Sequence, residues 1–401
     1  MMDQDTAQVL FREGAFLIMN EVLEGTEFGI DYLSWNVGPR FRGVKMIPPG
    51  LHFVYYSACS KEGDTGPRKG FFHNFEKKEI IVKRWNKLEE DIEDEQLSSE
   101  DLQRYHDNIC DLDRNLGPYP YEHYKKWVSL TNHLTWSLCK GLQPVRGRVA
   151  AVTDFISSRS NTQSRKDTME ANVRDKSSDQ SNECLQDERG ETSQSNKRTQ
   201  EKEEADSEPK NLREAESKLP QMEVKEDSMI RFNKIPQKYP TGSSPTQITK
   251  YSMDSSYALE KMISECYNGD ENGILGEIQF SFICLLIGQI YDAFDQWKHL
   301  VHLLCSCEDA LMKHENLFAN FITILYFQVQ EIPEDFFVDI VSQNNFLTTT
   351  LQEFFSNVEG CPLSNTLRKK ALRFREHLTQ KFKWDFTSEP DDCAPVVVDL
   401  S

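Results

Sequence analysis

The residues of this 401-residue chain best suited to chemistry gather late in the sequence: Cys305-Ser306-Cys307, with His299, His302 and His314 on either side. Thiolates and imidazoles bind zinc, but structural zinc takes two separated ligand pairs, and here one tight pair sits in an amphipathic pattern. Buried free cysteine is the expected reading. The chain holds no phosphate-cradling glycine loop, nucleophile elbow or HExxH pattern. Gly25, Gly29, Gly38, Gly43 and Gly50 fall singly between strand-like runs, where turns and bulges use them. No catalytic residue, cofactor or metal is assigned, and a thiol or metal enzyme on Cys305 and Cys307 is the weakest of three functions the chain suggests.

Charge speaks to partners instead. The formal net charge is −19, no Lys/Arg cluster is dense enough to track a phosphate backbone, and direct nucleic-acid binding is not expected. A solvated loop is the plainer account of the acidic run around LEEDIEDEQLSSED. Against that background Arg368, Lys369, Lys370, Arg373, Arg375, Lys381 and Lys383 crowd the last helical pattern. Complementing a helix dipole accounts for part of this, and partner contact is the sharper alternative. Phe382, Trp384 and Phe386 alternate just beyond; core packing is the default, an aromatic anchor at an interface the alternative.

The elements that must position these residues read as an α+β chain. FLIMN, FRGVKMI, LHFVYYS, GFFHNF and EIIVKRW are short, β-branched or aromatic, and bounded by turn residues, which predicts an antiparallel sandwich or barrel within residues 1–155. Accessory helices are predicted from Ser99, as N-cap, to a stop at Gly117, and from Tyr121 to Lys140. Residues 156–227 lose nearly all aromatic and branched apolar side chains and mix both charge signs, which predicts a disordered linker that separates its neighbours without orienting them. Residues 228–386 switch to the helical period, starting with Ser244-Pro245, with Ile274–Ile287 central and Ile332-Pro333-Glu334 restarting the chain. No convincing internal repeat is visible. Residues 387–401 carry Pro390, Pro395 and three consecutive valines, an extended tail suited to adding a strand to a partner's sheet.

Ten scattered cysteines predict a reduced compartment, and the acidic start with no bilayer-length apolar run predicts a chain without membrane insertion; even Ile274–Ile287 is interrupted by Glu277, Gln279 and Ser281. Cytoplasmic and nuclear residence is the expectation.

Several long strings carry a family likeness: GTEFGIDYLSWNVGPRFRGVKMIPPGLHF at 25–53, GPYPY at 117–121, KKWVSLTN at 125–132, EIPEDFFVDIVSQNNFLTTTLQEFF at 331–355, and KFKWDF with EPDDCAPVVVDL at the end. They resemble the AAR-two splicing factor family, of which this chain looks like an animal member. The resemblance implies a β-rich amino-terminal domain, a VHS-like helical carboxy-terminal domain, and a chaperone of U5 small nuclear ribonucleoprotein (U5 snRNP) assembly. It further implies that the chain binds pre-mRNA-processing factor eight at its RNase H-like and Jab1/MPN-like domains and holds the U5 snRNP precursor apart from its helicase. The family's strand-adding tail falls here on Val396, Val397, Val398 and Asp399. The linker is longer and more charged than the family's folded parts require, and phosphorylation there or near the tail is expected to release the partner. A VHS-like architecture taken alone would instead suggest a trafficking adaptor that binds peptide motifs.

Overall fold

A strand whose two faces are both covered reads as an unbroken apolar run, and the run Ala15–Met19 forms such a strand in the computed structural model. The structure describes residues 4–60, 64–95, 97–152, 155–157, 222–332 and 346–386. Strand β1 (Ala15–Asn20) lies mid-sheet between β7 (Ile80–Asn86) and β4 (Gly43–Ile47), with β8 (Asp91–Asp94) and the short β9 (Gly117–Pro118) at the edges. A second sheet runs in the order β10 (Val149–Ala150), β6 (Lys69–Phe75), β5 (Gly50–Ser57), β2 (Glu27–Ile30), β3 (Leu33–Asn36). Ala15, Leu17 and Met19 of β1 meet Phe28, Val54, Tyr56 and Phe75 of the second sheet, which makes this a sandwich.

The second sheet is antiparallel throughout, as its sequence predicts. The first is not, since β1 runs parallel to β7 and β4 parallel to β9. Alternation reports which face is buried and carries no information on the direction of the neighbouring strand. Close pairing also demands space. Gly43 has φ +129° opposite Ile18, and a Cβ there would stand 1.9 Å from the Leu17 carbonyl oxygen. Gly43→Ala is expected to cost on the order of 3 kcal/mol through strain and lost β1–β4 pairing, read as a lower urea midpoint. An unchanged midpoint would refute it.

Period-2 geometry then decides what each face of the sandwich meets. On β1, Phe16 and Ile18 face outward and are covered by Leu102, Tyr105, Ile109 and Leu112. Those residues were expected on one helix from Ser99. The N-cap is Ser98, whose side chain accepts from Asp101 N, and the helix breaks at Asn108 into Ser99–Asp107 (α2), Ile109–Leu112 (α3) and a 3₁₀ turn to Asn115. An added amino-terminal helix, Gln4–Glu13 (α1), precedes β1. The stretch predicted as one helix from Tyr121 is likewise split into Tyr124–Thr131 (α4) and Trp136–Leu142 (α5), with the Thr135 side chain capping the second. On β5, Phe53 and Tyr55 point away from the sandwich and join Trp127, Leu130 and Phe72 in a core that continues into the carboxy-terminal helices.

Those helices are Pro245–Met253 (α6), Ser256–Cys266 (α7), Asn272–Leu286 (α8), Tyr291–Cys305 (α9), Asp309–Lys313 (α10), Glu315–Glu331 (α11), Phe346–Gly360 (α12) and Asn365–Phe382 (α13). Helix α6 starts on a full capping box between Ser244 and Gln247 with Pro245 in the first turn. In α8 every residue from Ile274 to Cys284 is buried, as its lack of a polar face predicts. The described residues up to Val152 and those from Asp227 onward cluster as one unit. This differs from halves left unoriented by a linker, because composition reveals a linker but not the contacts its neighbours make. Near the two ends of the stretch 156–227 predicted as disordered, Phe155–Ser157 and Met222–Val224 pair antiparallel. Residues 158–221 between them, the predicted restart at Pro333-Glu334, and the tail from residue 387 lie outside the described residues.

Candidate partner-binding surface

The thiol–imidazole group does not assemble. Cys305 and Cys307 are fully buried, burial pushes both thiols upward, and Cys307 Sγ donates to the Leu303 carbonyl at 3.0 Å. His314 lies between Glu271 at 2.7 Å and Glu260 at 3.1 Å; burial lowers its pKa, but the two carboxylates outweigh this and raise it. His302 is lowered by burial. Among the described residues no group of three or more His, Cys, Asp or Glu is arranged to hold a metal, and no helix is long and apolar enough to cross a membrane.

A more enzyme-like constellation, which the sequence reading missed, lies in the sandwich. Asp31 Oδ2 sits 2.6 Å from His52 Nδ1 and accepts from the Tyr119 hydroxyl at 2.6 Å, while Oδ1 accepts from Phe53 N at 2.9 Å. The other imidazole nitrogen is 2.7 Å from the Pro48 carbonyl oxygen. Asp31 and His52 are each 1% exposed and Tyr119 2%, so the three groups are closed off from the surface. Burial, and then Asp31 itself, push the Tyr119 phenol far upward. The centre instead ties the β2–β3 turn, where Asp31 has φ 53°, to β5 and to the segment after β9. The legible signal was a lone histidine inside the apolar run LHFVYYS.

A second buried polar centre joins α8 to its helical neighbours and to the segment that precedes them. Glu277 of α8 is 0% exposed and accepts from Asn233 N (3.0 Å), Asn233 Nδ2 (2.6 Å), Tyr267 Oη (2.7 Å) and Gln296 Nε2 (2.9 Å). Burial raises its carboxyl above the ordinary range and these hydrogen bonds oppose the rise. Asn233 belongs to an extended strap in which Arg231 donates to the carbonyls of Lys140 and Gln143 at the end of α5, and Phe232 lies against Phe280. Gln279, also 0% exposed, accepts from His133 N and donates to Asn132 between α4 and α5. Arg68 adds a donation to the Ile287 carbonyl at 2.8 Å, and Lys126, seated over the Tyr32 ring, pairs with Glu331 at 2.6 Å.

The carboxy-terminal cations and aromatics occupy one end of this body. Helix α13 begins on a Ser364 cap and ends at Lys383 in the left-handed conformation, which turns the chain back on itself. Phe382 and Trp384 stack with ring centroids 4.7 Å apart and are half-buried, while Phe386 is 8% exposed and meets the Phe355 ring at 5.2 Å. Phe386 is thus a core residue, and the trio fastens the chain to α12 where it enters the tail. Arg368, Lys369 and Arg373 stay exposed, and Arg375 pairs with Glu359 at 2.6 Å. Val396, Val397, Val398 and Asp399 lie outside the described residues.

The architecture is therefore that of an α+β scaffold whose amino-terminal sandwich and carboxy-terminal helices share one apolar core, with Gln279 and Arg68 hydrogen-bonded across it. Two family models match it: the AAR2 N-terminal domain over residues 13–144 and the AAR2 C-terminal repeat region over 232–387. The chain is 44% identical over 402 residues to the Protein AAR2 homolog of Homo sapiens and 43% identical over 402 residues to that of Mus musculus, in each case across 100% of this chain and 97% of the relative. It is 36% identical over 391 residues to the Protein AAR2 homolog of Caenorhabditis elegans, across 95% of this chain and 97% of the relative. The chain belongs to the AAR2 family, and that membership supports a splicing-related factor.

Proposed function

We propose that this chain is a non-catalytic assembly factor of the U5 snRNP that binds pre-mRNA-processing factor eight, at its RNase H-like and Jab1/MPN-like domains, and delays helicase association. The observation that carries the reading is kinship with AAR2 homologs along essentially the whole chain, both folded regions included. The fold is compatible with it: the most enzyme-like polar group, at Asp31, is sealed from solvent, and the tail begins at a fastened aromatic, Phe386. In this reading Val396, Val397, Val398 and Asp399 add a strand to the partner's sheet, with main-chain hydrogen bonds supplying affinity. Nuclear and cytoplasmic residence goes with it.

Proline at position 397 removes one ladder donor and fixes φ, so Val397→Pro is expected to weaken capture of pre-mRNA-processing factor eight by about tenfold or more, with the melting curve unchanged. Deleting residues 390–401 should do at least as much. Equal capture by the wild-type and truncated chains in a quantitative pull-down would sink the tail mechanism; co-sedimentation with membranes instead of splicing particles would favour an adaptor.

A further inference from the structure

Helix α13 presents Arg368, Ala371, Leu372 and Arg375 at i, i+3, i+4 and i+7, a single stripe along its surface. Opposite it, α12 contributes Phe355, Val358 and Glu359, and together they line an open groove of about 220 Å³. The floor is apolar: Phe355, Val358 and Ala371 are buried, while Leu372 stays 46% exposed on a helix otherwise polar on its outer side. The rim is cationic. Arg375 lies 6.0 Å from the Phe355 ring centre and pairs with Glu359, whose side chain is 65% exposed; Arg368 also donates to the Cys361 carbonyl. From Asn365 to Phe382 the helix bears Arg368, Lys369, Lys370, Arg373, Arg375 and Lys381 against the lone carboxylate Glu376, in a chain of net charge −19. An acidic segment with apolar residues fits such a groove.

The chain itself supplies one. Phe386 touches Phe355, so the tail starts at the wall of the groove. Beyond it run TSEPDDCAPVVVDLS, with Glu389, Asp391, Asp392 and Asp399 around Val396–Val398 and Leu400. Fully extended, that length reaches roughly 50 Å, far more than is needed to turn back onto Leu372. The geometry points to residues 387–401 docking in cis in the α12–α13 groove, the valines covering Leu372 and the carboxylates facing Arg368 and Arg375. Tethering holds the tail at an effective concentration on the order of millimolar, so weak intrinsic affinity suffices. A partner that uses the tail must then displace it, a consequence that rests on the function proposed above; the docking does not.

The test uses the full chain and a fluorescein-labelled peptide of residues 387–401. With Val396→Asp, Val397→Asp and Val398→Asp disabling the resident tail, the peptide is expected to bind about tenfold more tightly than to wild type, because its cis competitor is gone. In that background Leu372→Glu, at an exposed position that keeps the fold, should weaken binding at least tenfold. Arg375→Glu should weaken it and flatten its salt dependence. Equal binding to the wild-type and tail-disabled chains, no binding to either, or indifference to Leu372→Glu overturns the proposal. No partner enters these measurements, so their failure leaves the assembly function standing, and failed partner capture leaves the docking standing.

Discussion

Asp31→Ala is expected to destabilise the protein by on the order of 4 kcal/mol, enough to lower the thermal midpoint by roughly 5–10 °C. Three groups lose their acceptor at once: His52 Nδ1, the Tyr119 hydroxyl and Phe53 N, all of them buried. A buried donor left without a partner costs about 1–3 kcal/mol, more than the bond contributed net. Alanine also tolerates the φ of 53° at this position poorly. Asp31→Asn separates the two causes, since asparagine enters the left-handed region nearly as readily as aspartate. It retains the oxygen facing Phe53 N but turns an amide NH₂ toward His52 and Tyr119, so an intermediate loss is expected. A midpoint for Asp31→Ala within about a degree of wild type would show that the sandwich does not depend on this centre.

The second large effect concerns Glu277. Glu277→Ala strands Asn233, Tyr267 and Gln296 around an emptied site and cuts the strap from α8, with an expected loss on the order of 3–5 kcal/mol. Glu277→Gln is expected to lose much less, because the Tyr267 hydroxyl can turn to accept from the new amide and the Asn233 side chain can flip. The amide also isolates the charge. Burial raises the Glu277 pKa in the folded state, so at a pH below the ordinary glutamate value the carboxyl is neutral in both states. As pH rises through that value the unfolded chain ionises first and stability falls, until the folded carboxyl ionises too and the curve levels. Glu277→Gln lacks this step, so its stability relative to wild type should improve from acidic toward neutral pH in denaturant titrations. Parallel curves for the two proteins across that range would contradict an ionising, buried Glu277.

Both centres help explain what was and was not legible beforehand. Single-residue patterning suffices for β1, whose unbroken apolar run announces two covered faces, and for α8, whose want of a polar side announces burial. It fails where the outcome depends on a distant segment. The parallel neighbours of β1 and β4 arrive from residues 80 and 117, and no alternation within β1 or β4 encodes their direction. Asp31 and Tyr119 are 88 positions apart, and only the closed sandwich brings them together. Glu277 and Gln279 were visible as interruptions of an apolar run, which argued against a membrane span. Their greater significance is that a carboxylate and an amide at 0% exposure must each find partners, and the strap and the α4–α5 corner provide them. The same logic reads Phe386 as an anchor of this chain's own core, whereas Val396, Val397, Val398 and Asp399 lie beyond the described residues.

The strap has one more consequence. The chain leaves the folded body near Val152 and re-enters at Asp227, where Arg146 Nε meets Asp227 Oδ2 at 2.6 Å and Arg231 is latched to the end of α5. Points of exit and return are therefore fixed by contacts within the body. Closing a loop between such points costs only about 0.6 kcal/mol more each time its length doubles. A change in the number of residues between Val152 and Asp227 therefore carries only a small closure cost.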